Sequence, residues 1–280
     1  MSKVAIITDS TADLPATLAA ERGIIVIPLY VMFGQEQYRA GVDMSNEAFY
    51  ERLARDARHP SSSQPTPADF VSLYREVEAD HILVIAISER LSGTMASATA
   101  AAASVNRPVT VFDSRSVSMG LGWQALAAAD VRDQGGSVDE MVAAADAVRR
   151  STSILFCPAT LEYLHRGGRI GAAAKLLGSA LQLKPILLVD TEAGTIDSFE
   201  KIRTRSRSLQ RLCDASWQRL DPQRTTRLAV IHGHCQEDAE QVADMLKAIH
   251  HPSELLITEL GPVVGTHGGP GIIGVAGYSL

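Results

Sequence analysis

Short apolar runs alternate with amphipathic stretches through the first half of the chain. Residues 4–8, Val-Ala-Ile-Ile-Thr, read as a strand, and Asp9, Ser10 and Thr11 then offer caps for a helix ending near Gly23. Apolar character resumes at 24–27 as a second strand. Helical spacing follows at 46–55 and 67–78, where Pro67 suits a first helical turn. The run Ile82-Leu-Val-Ile-Ala-Ile87 is uniformly apolar, as expected of a strand covered on both faces. A loop at 88–92 leads into an alanine-rich helix over 93–104, and 109–112 reads as another strand. Residues 118–132 are helical, and Ser137-Val-Asp-Glu140 forms a capping box opening a helix to Arg150. Strands alternating with helices predict a Rossmann-like parallel sheet with ligand chemistry at the strand C-termini.

The second half differs. Residues 160–166 and 171–181 read as two short helices broken at Gly167-Gly168. Residues 185–189 and 195–203 form an expected antiparallel hairpin around Glu192-Ala-Gly194. A helix, a strand at 228–232, a helix at 237–249 and a strand at 255–260 follow. This pattern predicts an α+β domain with a mixed sheet. The domain boundary is placed near Arg150, giving an N-terminal α/β domain over 1–150 and a C-terminal one over 151–280.

With 280 residues the chain suits two domains or one large one. A hydrophobic fraction of 46% against 21% charged residues describes a soluble globular protein. The net charge of −6 argues against whole-molecule attraction to nucleic acid or anionic membrane. Ser2 and Lys3 lead straight into the first strand without a secretion signal, and no apolar run is long enough to span a bilayer. Cys157, Cys213 and Cys235 are odd in number and widely spaced, which fits reduced thiols in a cytoplasm.

Candidate chemistry concentrates near the C-terminus. From Leu260 to Gly274 one histidine, His267, stands among six glycines and two prolines, in what reads as a tight turn. Two hydroxyl-rich loops, Ser61-Ser62-Ser63-Gln64-Pro65 and Leu91-Ser92-Gly93-Thr94, can meet that ring. Ser92-Gly93-Thr94 opens a helix after a buried strand, so its N–H groups face whatever occupies the strand end. Taken singly, an N-cap and an ordinary capping loop explain both motifs. Together with His267 they suggest a pocket for a small anionic head group. A bound carboxylate would raise the histidine's pKa, while burial would lower it.

Other motifs carry less. Gly269-Pro-Gly271-Ile-Ile-Gly274 satisfies G-x-G-x-x-G, but no acidic residue can follow about 20 positions later and Pro270 sits inside the turn. His232-Gly-His234-Cys235 lacks a second ligand cluster at zinc spacing, and a strand running into a polar turn accounts for it, so no metal is assigned. Arg166, Arg169, Lys175, Lys184, Lys201, Arg203, Arg205 and Arg207 make a basic region: a solvated face, or a docking surface for a partner bearing phosphates or acidic side chains. No Gly-x-Ser-x-Gly elbow, Walker A loop or His-Glu-x-x-His occurs, which points towards binding.

The ordered set Val4-Ala-Ile-Ile-Thr-Asp-Ser-Thr-Ala-Asp-Leu-Pro15, Ser63-Gln-Pro65, Leu91-Ser-Gly-Thr94, Val111-Phe-Asp-Ser114, Leu161-Glu-Tyr-Leu-His-Arg-Gly-Gly-Arg-Ile170, Lys184-Pro185 and Gly265-Thr-His-Gly-Gly-Pro-Gly271 resembles the DegV family over essentially the whole chain. The resemblance implies a two-domain α/β lipid binder with its site between the domains. It is similar to the fatty-acid-binding subunit of bacterial fatty acid kinase, a cytoplasmic system of phospholipid metabolism. There the subunit presents a long-chain fatty acid to a separate ATP-binding kinase subunit, which phosphorylates the carboxylate to an acyl phosphate. By the same resemblance Ser92 and His267 match positions holding the carboxyl head. Ser62 stands where relatives usually carry threonine. Arg169 and Arg203 fall in motifs that look like the kinase-docking surface. No cofactor is implied on this chain; ATP and magnesium belong to the partner. After Thr94 the chain reads Met95-Ala-Ser97-Ala, without the aromatic residue often found in relatives. Two readings of other classes stay open: a self-sufficient acyl hydrolase using Ser92 and His267, and a small-anion or phosphosugar-binding module.

Overall fold

The N-terminal alternation produces a parallel sheet. The structure, a computed structural model, describes residues 3–177 and 183–280. β1 (Val4–Asp9), α1 (Ala16–Glu21) and β2 (Ile24–Ile27) open the chain. They are followed by β3 (Tyr30–Phe33), β4 (Glu36–Arg39), α2 (Asn46–Arg55), β5 (Ser61–Ser63) and α3 (Pro67–Glu76). β6 (His81–Ala86), α4 (Thr94–Ala102) and β7 (Val109–Asp113) complete the four-stranded sheet, ordered β2-β1-β6-β7 with every pairing parallel. Then come α5 (Met119–Asp133), α6 (Val138–Ser151), β8 (Ser153–Cys157) and α7 (Glu162–Arg166). β9 (Ile186–Asp190), β10 (Thr195–Glu200), α8 (Arg205–Gln218), β11 (Thr226–His232) and α9 (Gln236–His250) follow. β12 (Glu254–Glu259), α10 (Pro262–Gly268) and β13 (Ile273–Ser279) end the chain. The second sheet has six strands, ordered β10-β9-β8-β13-β11-β12, and only β11 and β12 run parallel. The fold is therefore α/β, with a parallel sheet first and a mixed sheet second, as the pattern predicts. No helix among the described residues is long and apolar enough to cross a membrane.

Several local expectations are corrected. The helix expected directly after Asp9 is instead a 3-10 turn at Ser10–Ala12, ended by Asp13 in the left-handed region, and α1 starts only after Pro15. Ser61–Ser63, read as a loop, is a short strand in a three-stranded antiparallel sheet, β4-β3-β5. An all-serine strand has no apolar alternation to announce it. The expected helix over 171–181 is a 3-10 turn at Gly171–Leu176, and residues 178–182 lie outside the described residues. The expected tight turn at 260–274 resolves into α10 and the start of β13. β8 and β13, central in the mixed sheet, have no counterpart in the pattern reading.

One apolar interior serves both large sheets. Every residue of α5 from Met119 to Ala129 is buried, as befits a helix without a solvated face. It packs with α6 against Ile6, Leu83 and Ile85 of the parallel sheet and against Ile154, Ala229, Ala276 and Tyr278 of the mixed one. Alternation along β8 sends Ile154 and Phe156 into this interior and Leu155 into a second core under α8 and α9. Trp123 is fully buried; its Nε1 donates to the Ala276 carbonyl at 3.2 Å and its ring meets Tyr278 edge-on. Trp123→Ala is expected to cost about 3–5 kcal/mol of unfolding free energy, read by equilibrium chemical denaturation.

Candidate functional site

α10 stands on the small antiparallel sheet. Gly261 and Pro262 start it, with proline suited to the first turn, and Gly269 at φ 74° ends it in a conformation that L side chains resist. This places the ring of His267 against β5, whose pairing with β3 sets Val31 opposite Ser62. The His267 Nε2 lies 2.7 Å from the Ser62 Oγ across 205 residues of chain. On the other side the ring abuts Gly167, where a Cβ would fall 2.1 Å from Nδ1, so only glycine lets the chain pass. His267 Nδ1 is sealed from solvent and has no hydrogen-bond partner.

Ser92 belongs to the loop between β6 and α4. Its Oγ lies 2.9 Å from Thr94 Oγ1, but the Thr94 N–H reaches it only at 3.4 Å, and no side chain caps α4. The plain capping account of Ser92 is therefore weak. Both serines and His267 line one cavity, with about 940 Å³ of atom-free space including its mouth. Ser63, Gln64 and Arg169 join them to form a polar end. Apart from Thr11 and Ser118 the remainder is apolar: Ile87 and Val117 come from the first half, and Ile154, Phe156, Val189, Ile196 and Ile231 from the mixed sheet.

Arg169, expected as a docking residue, also lines this cavity. Its Nε donates to the Leu91 carbonyl at 3.2 Å and its Nη1 to the Gly167 carbonyl at 2.9 Å, tying the Ser92 loop to the turn beside His267. Arg203 lies apart, exposed after β10 and outside the cavity lining. Thr11, whose position in the sequence marks only a cap, also lines the cavity and is fully buried. Its N–H and hydroxyl bond Asp9, whose other oxygen accepts the Ile87 N–H at 2.8 Å, joining the C-terminal ends of β1 and β6. The signal was present in Thr8-Asp9-Ser10-Thr11, where a buried acid at a strand end organises the loop. Burial raises the pKa of Asp9 and pushes that of Asp13 up to about 7.

The lesser motifs resolve plainly. His232 Nδ1 accepts the Cys235 N–H, and His234 pairs with Glu259 while stacking on Tyr50. Among the described residues no group of three or more His, Cys, Asp or Glu could hold a metal ion. The G-x-G-x-x-G stretch runs from the end of α10 into a strand, where a dinucleotide fingerprint would open a helix. Much of the basic region is paired, Arg166 with Glu162, Lys175 with Asp197 and Arg205 with Asp238.

Burial, reinforced by the positive charge of Arg169 and by His59, pushes the pKa of His267 down to about 4. The ring is neutral at pH 7 and can accept the Ser62 proton or donate its own. Between pH 6.5 and about 4 the unfolded chain binds a proton at this position that the folded chain does not. Stability contributed by neutral His267 is therefore lost as pH falls through that window. His267→Gln removes the term. Lipid-free wild type should lose up to about 3 kcal/mol more than the variant across this range, and parallel unfolding-versus-pH curves would refute a buried neutral ring.

A family model described as an uncharacterised protein of the DegV family matches residues 3–279. A DegV domain-containing protein of Streptomyces coelicolor is 40% identical over 276 residues, 97% of each chain. Protein DegV of Bacillus subtilis is 33% identical, over 97% of this chain and 98% of its own. Among solved structures, one of fatty acid binding by a DegV family protein from Thermus thermophilus superposes with a TM-score of 0.92 at 34% identity, covering 99% of this chain and 100% of that one. The crystal structure of DegV, a fatty acid binding protein from Bacillus subtilis, gives 0.91 at 33% identity and covers both chains fully, at 100% each.

Proposed function

We propose that this chain, which belongs to the DegV family, binds a long-chain fatty acid between its two large sheets and presents the carboxylate to a separate kinase subunit. The observation that carries the reading is a cavity with an apolar body and a polar end built from Ser62, Ser92 and His267. Burying a polymethylene chain contributes about 0.8 kcal/mol per methylene, so a long acyl chain supplies on the order of 10 kcal/mol gross, reduced by ordering and association costs. A carboxylate carried inward without partners would cost several kcal/mol, roughly the scale of that gain. Two serine hydroxyls and an imidazole at the polar end supply the required donors. The incoming anion also favours the imidazolium, opposing the depression that burial imposes on His267.

The finer step, presentation for phosphorylation to an acyl phosphate, is supported by the basic motifs and by the sequence's lack of a nucleotide loop. ATP and magnesium then belong to the partner, and positioning is this chain's contribution. Arg169 stands at the cavity rim. Arg203 is exposed and makes no ion pair among the described residues, leaving its guanidinium free to meet an acidic or phosphate-bearing partner. The hydrolase reading is disfavoured by a specific contact. His267 Nδ1 faces Gly167 and bonds no carboxylate, so no acidic residue supports the ring as a general base.

Native mass spectrometry of gently purified protein should show an added mass matching a common fatty acid. Ser92→Ala and His267→Ala should each weaken fatty acid binding by about tenfold in direct titration. Protein that is repeatedly lipid-free, or variants binding as tightly as wild type, would remove the assignment. Mixed with a cognate ATP-dependent kinase subunit, lipid-loaded protein should yield acyl phosphate, and Arg203→Ala should lower that rate without altering lipid affinity.

A further inference from the structure

The middle of the mixed sheet carries a glycine that its backbone does not require. Gly274 in β13 lies opposite Phe156 of β8 on one side and Ile231 of β11 on the other, and all three line the cavity. Its φ lies outside the left-handed region. A Cβ there would sit 3.2 Å from Phe156 Cβ, 3.4 Å from the Leu155 oxygen and 3.8 Å from Ile231 Cβ, tight but without a clash. Gly277 of the same strand is different, since its Cβ would fall 2.3 Å from Leu228 Cδ2 on the opposite face. Glycine within a strand weakens it, so packing explains Gly277 while Gly274 answers to the space above it.

The cavity ends one row further on. Ala276 lies between Ile154 and Ala229, and α5 covers that row. Trp123 Nε1 bonds the Ala276 carbonyl at 3.2 Å, and a Cβ on Gly120 would fall 2.2 Å from Ile154 Cδ1. Along β13 the cavity therefore runs from Ile272, which packs near Gly268 beside His267, over Gly274, and stops beneath α5.

We infer that Gly274 determines acyl-chain length: its missing side chain makes a trough between Phe156 and Ile231 in which the far methylenes of the ligand lie. This rests on the fatty acid reading above. A methyl group at 274 raises the floor of the trough and displaces the distal part of a long chain. A chain too short to reach the trough, held at Ser62, Ser92 and His267, is unaffected by it.

Delipidated wild type and Gly274→Ala are titrated with decanoate, laurate, palmitate and stearate, and their lipid-free thermal midpoints are compared. The variant should bind decanoate within about twofold of wild type and bind palmitate and stearate about tenfold more weakly. A lipid-free midpoint close to that of wild type shows that the small shift the methyl asks of Phe156 is accommodated. A crystal structure of wild type with palmitate supplies an arm independent of the variant, and the distal carbons should lie in van der Waals contact with the Gly274 Cα. An unchanged length profile in the variant, or a palmitate chain running away from Gly274, overturns the trough alone. Wild type that binds none of the four acids overturns the fatty acid reading and the trough with it.

Discussion

Two sheets face one another across a space that a single helix only partly fills. From Met119 to Ala129 α5 is buried on all sides because it is the wedge between them, its small residues letting both sheets close in and its one large ring, Trp123, meeting the mixed sheet at Ala276. Where α5 stops, the opposing faces stay apart, and what remains between them is apolar on nearly every wall. Close-packed interiors do not keep large voids without cause, since lining atoms lose their dispersion partners. The cavity is the part of the core that the sequence declines to fill.

Its polar end is governed by a second constraint. A charged head group can enter such a space only if donors already wait there, and waiting donors must not themselves be unsatisfied charges. Neutral His267 bonded to Ser62 meets both requirements. The full charge of Arg169 is kept at the rim, spending its hydrogen bonds on the carbonyls of Leu91 and Gly167. The same two side-chain-to-carbonyl bonds join loops from different halves of the chain at the rim. Asp9 acts similarly one layer below, where a buried acid holds the ends of β1 and β6 and fixes Thr11 at the cavity wall.

Much of the architecture was legible in the order of residues. Uniformly apolar runs such as 82–87 and capping signatures such as Ser137–Glu140 are local, because hydrogen bonding and burial in them depend on near neighbours. Ser62, Ser92 and His267 could be singled out as unusual hydroxyls and a ring in glycine-rich surroundings, and the structure sets all three around one cavity. β5 and β13 left no comparable trace. A strand of three serines, and a strand holding two glycines and an alanine among its seven residues, owe their conformation to partners far away in the chain.

The sequence by itself determined the α/β alternation, the family and which side chains were chemically unusual, since each of these depends on residue type and close spacing. Only the tertiary structure decided that Ser62 would meet His267, that Arg169 would sit at the cavity mouth, and that Gly274 would line the cavity while Gly277 faces Leu228. Those outcomes depend on strand register and on how one helix wedges two sheets apart, and neither is encoded within the reach of neighbouring residues.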